Sequence, residues 1–365
     1  MKTEYPNLDL LRAVAVTFVT VSHVFTFFGL GHGYIGMWGI LGVAIFFVHT
    51  SLVLTQSLDY QERPLYIPFM IRRCFRIYPL AVTILATVVL FRIPQLFSEQ
   101  TGHFVSRNFK PHAIVANFLL LQDLLSASPA YSRPTQGFPV VTSIIGPMWS
   151  LSVEMLMYAV LPLLFLLVNR QRYRAAALTG MYLMVVMFSI AGVRSYPFVE
   201  FFSYAPVFAA GIVAYYLLRG RYFIVPAFCW PIFLAVMCFA LPTSRIPLLY
   251  WGLVVAATLP WFAQITSKPL VLASKLIARY SYGIYLTHCL CMWIALEKMP
   301  GPAPLRLTVF LVLLGVVSVG LYHSVEEPMI QIGKRVATKY SEQRLSSLAL
   351  LLPKSAVTVS TIPNM

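Results

Sequence analysis

Long apolar stretches recur along this chain, and ten of them approach the length of a bilayer-crossing helix. A helix rises about 1.5 Å per residue, so roughly 20 mostly apolar residues span a hydrocarbon core of about 30 Å. This pattern predicts an all-α, polytopic membrane protein. The predicted spans lie near 8–30, 36–58, 75–93, 145–168, 175–193, 198–218, 223–241, 246–264, 277–296 and 305–324.

An eleventh apolar run, 113–126, is too short to span and contains Asn117, Gln122 and Asp123. The positive charges decide its placement, because lysine and arginine concentrate on cytoplasmic loops. If this run does not cross, 19 of the 27 lysines and arginines share one side with both termini. We therefore predict ten spans, both termini cytoplasmic, and a re-entrant or interfacial run inside an outer cap formed by 94–144.

Composition narrows the class of protein further. The 365 residues are 59% hydrophobic and only 11% charged, whereas a soluble domain carries about a quarter charged residues. A water-soluble single domain is therefore excluded. We assign the net charge of +15 to the cytoplasmic membrane face and expect no nucleic-acid partner. We predict a membrane domain over 1–333 and a basic cytoplasmic tail over 334–365 that is partly disordered. The five cysteines lack zinc spacing, so no metal site is predicted.

The first span contains two ionisable residues that are candidates for catalysis. Arg12 and His23 are separated by three helical turns, so they share one helix face about 16 Å apart. Ionisable groups inside spans usually mark a pathway or a site, and an imidazole suits a general base. Two other interpretations stay open. Arg12 pairs with Asp9 at the interface, or His23 is a hydrogen-bonded histidine of the bundle.

The fourth span adds a carboxylate to the candidate site. Glu154 follows Trp149, Ser150 and Ser152 within about a turn and a half. Its predicted depth overlaps that of His23, so we expect the two side chains to meet if their helices are neighbours. The alternative is a proton relay or ion site in a transporter.

A cluster of Arg72, Arg73 and Arg76 marks the cytoplasmic end of the third span. Arginine forks match phosphate oxygens, which predicts a phosphate-binding cluster for an anionic co-substrate. The alternative is simple anchoring at the cytoplasmic face. The ninth span also carries hydroxyls and an imidazole. The candidate substrate-binding residues are Trp149, Ser152, Tyr282, Tyr285 and His288.

Six sequence motifs follow one another in a recognisable order over about residues 7–330. They are LDLLRAVAV with its VSH, GVAIFFVHTSLVL, RRCFRIYP, MWSLSVEMLMYAVLP, ARYSYGIYLTH and VEEP. Together they resemble the motifs of the acyltransferase 3 family of integral membrane acyltransferases. The resemblance implies ten spans with cytoplasmic termini.

The resemblance also implies an activity. An acyl group, usually acetyl, passes from cytoplasmic acetyl-CoA to a hydroxyl of an extracytoplasmic carbohydrate, such as a surface polysaccharide, lipopolysaccharide or glycolipid. Acetyl-CoA is then a co-substrate rather than a bound cofactor, and a bacterial inner membrane is expected. His23 matches the family's catalytic histidine, Arg12 its paired arginine, and Glu154 its acid. Arg73 and Arg76 match its basic motif.

Two positions depart from the family's pattern. Ala44 replaces an aspartate of many members, and 49–51 reads His-Thr-Ser where most have Leu-Ser-Gly. The second change predicts a tighter or differently hydrated second span. A secondary transporter or flippase for a glycolipid or small solute is the alternative function, with the arginine, histidine and glutamate forming its path. A non-catalytic membrane scaffold or sensor is a third.

Overall fold

The computed structural model describes ten stretches of the chain, and these are mainly helical. They are 5–31, 34–61, 66–98, 103–105, 111–122, 143–169, 174–192, 199–219, 224–239 and 245–351. The helices within them are α1 (Pro6–Phe27), α2 (Tyr34–Asp59), α3 (Tyr66–Phe91), α4 (Pro111–Phe118), α5 (Met148–Asn169), α6 (Arg174–Gly192), α7 (Val199–Leu218), α8 (Cys229–Phe239), α9 (Arg245–Thr258), α10 (Lys268–Met292), α11 (Ala303–Leu321) and α12 (Glu327–Leu351).

Each of the ten predicted apolar runs contains a helix, which confirms the helical class. Within the described stretches, six helices are long and apolar enough to cross a membrane: α1, α2, α3, α5, α7 and the long helix that begins at Ala303. Helices α8 and α9 have 11 and 14 residues and are shorter than a full crossing requires. Helix α10 is long enough but carries Lys268, Lys275 and Arg279. Ten crossings and the side of the termini therefore stay predictions.

One small β element accompanies the helices in the described part of the chain. Strand β1 (Leu96–Ser98) pairs antiparallel with β2 (His103–Val105) inside the predicted cap. Phe104 is buried, and its backbone N–H donates a hydrogen bond to Oε2 of Glu297 at 2.7 Å. This small ribbon therefore packs on the end of α10 and its π-helical extension, Trp293–Lys298.

Helix α4 corresponds to the run that was predicted not to cross. It has eight residues, about 12 Å of helix, against a hydrocarbon core of about 30 Å. The carbonyl of Leu119 accepts a hydrogen bond from Tyr78 OH of α3, at 2.8 Å. Asn117 accepts one from the backbone N–H of Ile144, at 2.9 Å. The helix is thus tied to α3 and to the start of α5, while Asp123 lies outside the described residues.

Helix α1 packs between α2 and α10. Small residues permit the contact with α2, because a side chain at Gly42 would meet the backbone of α1 at Ala15. Gly39 lies beside Ser22 of α1, so the two helices run antiparallel. The side of α1 that carries Arg12 and His23 faces α10, and these two helices run parallel. The predicted common face of Arg12 and His23 is confirmed.

The last two helices form one continuous rod. A π-helical turn, Tyr322–Glu326, joins α11 to α12, and Pro328 lies in the first turn of α12. A proline is tolerated there, because local π geometry absorbs its missing hydrogen bond. The rod continues past the predicted last span and packs on α3, where Gly333 contacts Phe75. The predicted tail therefore begins inside a helix, and 352–365 lie outside the described residues.

Candidate active site

Four helices, α1, α2, α5 and α10, line a cavity of about 60 Å³. Apolar and aromatic side chains of α2 and α5 form part of its wall, and polar groups converge from the other sides. The polar lining consists of Arg12, Thr50, Ser150, Glu154, Ser281, Tyr282 and Tyr285. The combination of an apolar wall with convergent polar groups is the chemical character of a ligand site.

Arg12 connects α1 to α10 at this cavity. Its Nε donates a hydrogen bond to Ser281 Oγ at 2.6 Å, and that hydroxyl donates to the carbonyl of Ala278 at 2.9 Å. This long-range contact ties the guanidinium to α10. Because one edge of the planar group is held, its remaining N–H groups have a fixed direction.

Glu154 of α5 lines the same cavity. Tyr158 OH, one turn further along α5, donates a hydrogen bond to Oε1 of Glu154. Thr50 Oγ1 of α2 approaches the same oxygen at 3.5 Å. Arg12, Arg73 and Arg76 all interact electrostatically with this carboxylate. Glu154 therefore belongs to a cluster of half-buried charges, in which opposite signs lie close together.

The structure corrects the prediction that Glu154 meets His23. The neighbours of Glu154 are Arg12, Thr50 and Tyr158, whereas His23 lies beside His288. The reason is the spacing along α1. Arg12 lies at the level of Glu154, and His23 is about 16 Å further along the helix axis.

The His23 ring lies 5.0 Å from the His288 ring, measured between centroids, with a tilt of 40°. His288 is fully buried on α10, while His23 is exposed. The site thus has two parts: the cavity at Arg12 and the histidine pair further along α1.

The three arginines of α3 have different environments. Arg72 donates to Gln61 Oε1 at 3.0 Å, and Arg76 forms an ion pair with buried Glu326. The guanidinium of Arg73 lies over the ring of Phe69, and its buried Nε has no hydrogen-bond partner among the described residues. Of the predicted phosphate-binding cluster, Arg73 is therefore the one with an unused buried donor.

The remaining predicted residues divide between the cavity wall and the core. Tyr285 lines the cavity, and its hydroxyl lies 2.7 Å from Ser150 Oγ. Tyr282 also lines it, but its hydroxyl donates to the carbonyl of Ile77 at 2.7 Å. Trp149 is not in the cavity wall and packs on Tyr204, with ring centroids 5.4 Å apart. Ser152 is fully buried outside the wall.

Five residues of the site were not among the predicted ones: Thr50, Ser150, Tyr158, Ser281 and Glu326. Thr50 belongs to the motif that departs from the family's pattern, and Tyr158 follows Glu154 at a spacing of four residues, which places both on one helix face. Glu326 lies in the closing VEEP motif. Its position at the end of an apolar run resembles that of an ordinary interfacial residue, so the sequence contains no signal for its burial.

The fold and the site define a multi-pass helical membrane protein with a buried polar cavity. The family model of the acyltransferase 3 family, described as an acyltransferase domain, matches residues 5–324. The chain belongs to this family, which supports acyltransferase activity and gives no support to the transporter alternative. No curated protein and no solved structure matches the chain.

Proposed function

We propose that this protein is an O-acyltransferase that moves an acyl group, in the first instance acetyl, from acyl-CoA to a carbohydrate hydroxyl. The acceptor is an extracytoplasmic polysaccharide or glycolipid, and the donor enters from the cytoplasmic side. Family membership supports acyl transfer, and the excess of lysine and arginine on one side supports the orientation. The membrane of residence on this proposal is a bacterial inner membrane.

The observation that carries the proposal is the arrangement of Arg12 and His23 on the α10-facing side of α1. A basic, polar cavity lies at one level and an accessible imidazole lies about 16 Å further on. A donor with a phosphorylated head and a long, thin acyl-bearing arm suits such a spacing. Arginine recognises the phosphates, and the thioester reaches the histidine.

In the proposed reaction, His23 accepts the proton of the acceptor hydroxyl as the oxygen attacks the thioester carbonyl. A new C–O bond forms and a tetrahedral oxyanion results. The C–S bond then breaks, and the thiolate of CoA takes the proton from His23. The proton balance closes within one turnover, so the histidine needs no outside acid or base.

On this proposal, Arg73 and Arg76 bind the phosphates of the acyl-CoA donor. Arg72 lies at the entrance of the donor's path, and Arg12 lies along that path. Arg73 supports this assignment most directly, because it has an unused buried donor. Arg76 is engaged with Glu326, and its charge contributes to the field around Arg12. A positive environment of this kind favours a phosphate over neutral ligands.

The test is acyl transfer by the purified protein in phosphatidylcholine vesicles. Radiolabelled acetyl-CoA is supplied with methyl glycosides or total cell-envelope glycolipid as acceptor. We expect label in the acceptor, and a loss of about 10²- to 10⁴-fold in His23→Ala. His323→Ala is the matched control, because His323 is exposed and pairs with Glu327 away from the cavity. Transfer by His23→Ala at near wild-type rate contradicts the base assignment.

The natural acceptor is identified by deleting the gene and comparing surface glycans by mass spectrometry. We expect one glycan or glycolipid to lose a single acyl mass, and that mass distinguishes acetyl from a longer group such as succinyl. An unchanged set of surface glycans contradicts the carbohydrate acceptor. Transport of an unmodified solute without label transfer contradicts the acyltransferase proposal itself.

A further inference from the structure

The pair of His23 and His288 has the geometry of two interacting imidazoles. They project from the parallel helices α1 and α10, and their ring centroids are 5.0 Å apart. An N–H···N hydrogen bond of about 2.9 Å between two imidazoles places their centroids roughly 5 Å apart. The observed separation therefore suits a direct hydrogen bond once the 40° tilt between the rings is adjusted by rotation of the accessible His23 ring.

The position of the proton on His288 follows from its backbone contacts. Its Nδ1 lies 2.6 Å from the carbonyl oxygen of Tyr285, and the carbonyl of Ile284 is a second backbone partner. A carbonyl oxygen can only accept, so Nδ1 carries the hydrogen and Nε2 has a free lone pair. The helix backbone thus fixes His288 in one tautomer, with an acceptor at Nε2.

Two further observations concern the donor that can bind to Nε2 of His288. Cys289 Sγ lies 3.4 Å from Nε2 of His288, but a thiol is a weak donor, and an imidazole N–H competes with it effectively. His23 is the exposed member of the pair, and His288 is the buried one.

We propose that His288 is a positioning residue for His23, whose N–H it receives at Nε2. This inference rests on the proposed function, because it requires His23 to be the general base. One nitrogen of His23 takes the proton of the acceptor hydroxyl, while the other donates its N–H to His288. The proton stays on His23 until it is passed to the departing CoA thiolate, and His288 does not change its protonation.

The arrangement follows the logic of a catalytic triad, in which a third group holds the base in the correct tautomer and orientation. The usual third group is a carboxylate. A neutral imidazole supplies the same lone pair without a buried negative charge, which is costly at this depth of a membrane protein. The carbonyl of Tyr285 has the role of fixing the third group in its turn.

Two substitutions of His288 separate positioning from packing. In His288→Asn, the side-chain N–H lies near the position of Nδ1 and can donate to the backbone carbonyls. This variant has no acceptor near the position of Nε2. His288→Gln is longer and can bring its amide oxygen to the place of Nε2. Positioning requires the acceptor at Nε2, and a purely structural role requires only the bond to the backbone.

The experiment measures kcat and KM of both variants in the vesicle assay with acetyl-CoA and methyl glycosides. We expect kcat of His288→Asn to fall at least about tenfold, with KM for both substrates unchanged, as for loss of a base-orienting group. His288→Gln is expected to retain kcat within about threefold of the wild type, since an acceptor is restored. Size-exclusion chromatography and thermal unfolding establish that each variant is folded.

Each outcome decides the matter. A wild-type kcat in His288→Asn, or an equal loss in both variants, overturns the positioning role. A raised KM for the methyl glycoside at constant kcat makes His288 a substrate-binding residue and also overturns it. If His288→Asn does not fold, the kcat of His288→Gln decides alone, and a loss of tenfold or more overturns the proposal. A wild type that transfers no label removes the proposed function itself.

Discussion

Nη1 of Arg76 lies 2.7 Å from Oε1 of Glu326, an ion pair that joins α3 to the rod formed by α11 and α12. The carboxylate side chain is fully buried, and Arg12 also interacts with it electrostatically. Together with Arg12 and Glu154, this pair forms a set of alternating charges beside the cavity. A buried charge inside a span is stable only when it is paired, so each member depends on the others.

Glu326→Gln is expected to destabilise the protein strongly. Removing one partner of a buried ion pair leaves the other charge unpaired, which lowers the free energy of unfolding by about 3 to 5 kcal/mol. Thermal unfolding in detergent measures this loss. Glu327→Gln is the matched control, because the neighbouring side chain is 45% exposed and its change is expected to lie within about 0.5 kcal/mol. Equal melting temperatures for the two variants contradict the buried pair.

Arg73→Gln is expected to weaken donor binding more than Arg72→Gln does. Arg73 has a buried donor without a partner, while Arg72 is already bonded to Gln61. Loss of a hydrogen bond to a charged group costs about 1.5 to 3 kcal/mol, which corresponds to a rise in apparent KM for acetyl-CoA of roughly tenfold or more. Initial rates at varied acetyl-CoA measure it. Equal KM values for the two variants exclude a special role of Arg73.

Arg12→Lys is expected to reduce kcat/KM by roughly 10- to 100-fold although the charge is kept. The ammonium cannot reproduce the bond from Nε to Ser281 together with further directed donors. Arg279→Lys is the control, since Arg279 lies two residues before Ser281 on α10 and is exposed. Wild-type turnover in Arg12→Lys shows that charge alone suffices at this position.

Gly211→Ala is expected to loosen the contact between α7 and α2. A Cβ at Gly211 would overlap the Ser51 hydroxyl and the backbone of Val48, and overpacking of this kind typically costs about 1 to 3 kcal/mol. Gly180→Ala is the control, because nothing lies within 4 Å of its Cβ position and alanine favours a helix by about 1 kcal/mol. The melting temperature is therefore expected to fall in the first variant and to hold or rise in the second.

The regular geometry of a single helix was sufficient to predict one feature of the site and the positions of the helices. The eleven-residue spacing of Arg12 and His23 predicts a common helix face, and both residues do contact α10. Helix geometry is periodic along one segment, so such a relationship needs no knowledge of the neighbours. For the same reason each long apolar run contains a helix, and the short run forms only the eight-residue α4 within the described residues.

The partners across helices could not be predicted in this way. Depth along a span placed Glu154 near His23, but depth does not define which face of one helix meets which face of another. Glu326 looked interfacial, and only the continuation of α11 into α12 and its packing on α3 bury it against Arg76. The sequence by itself determined the helices, their polar faces and the family's motifs. The tertiary structure alone decided the pairs Arg76–Glu326 and His23–His288, because long-range packing selects which faces meet.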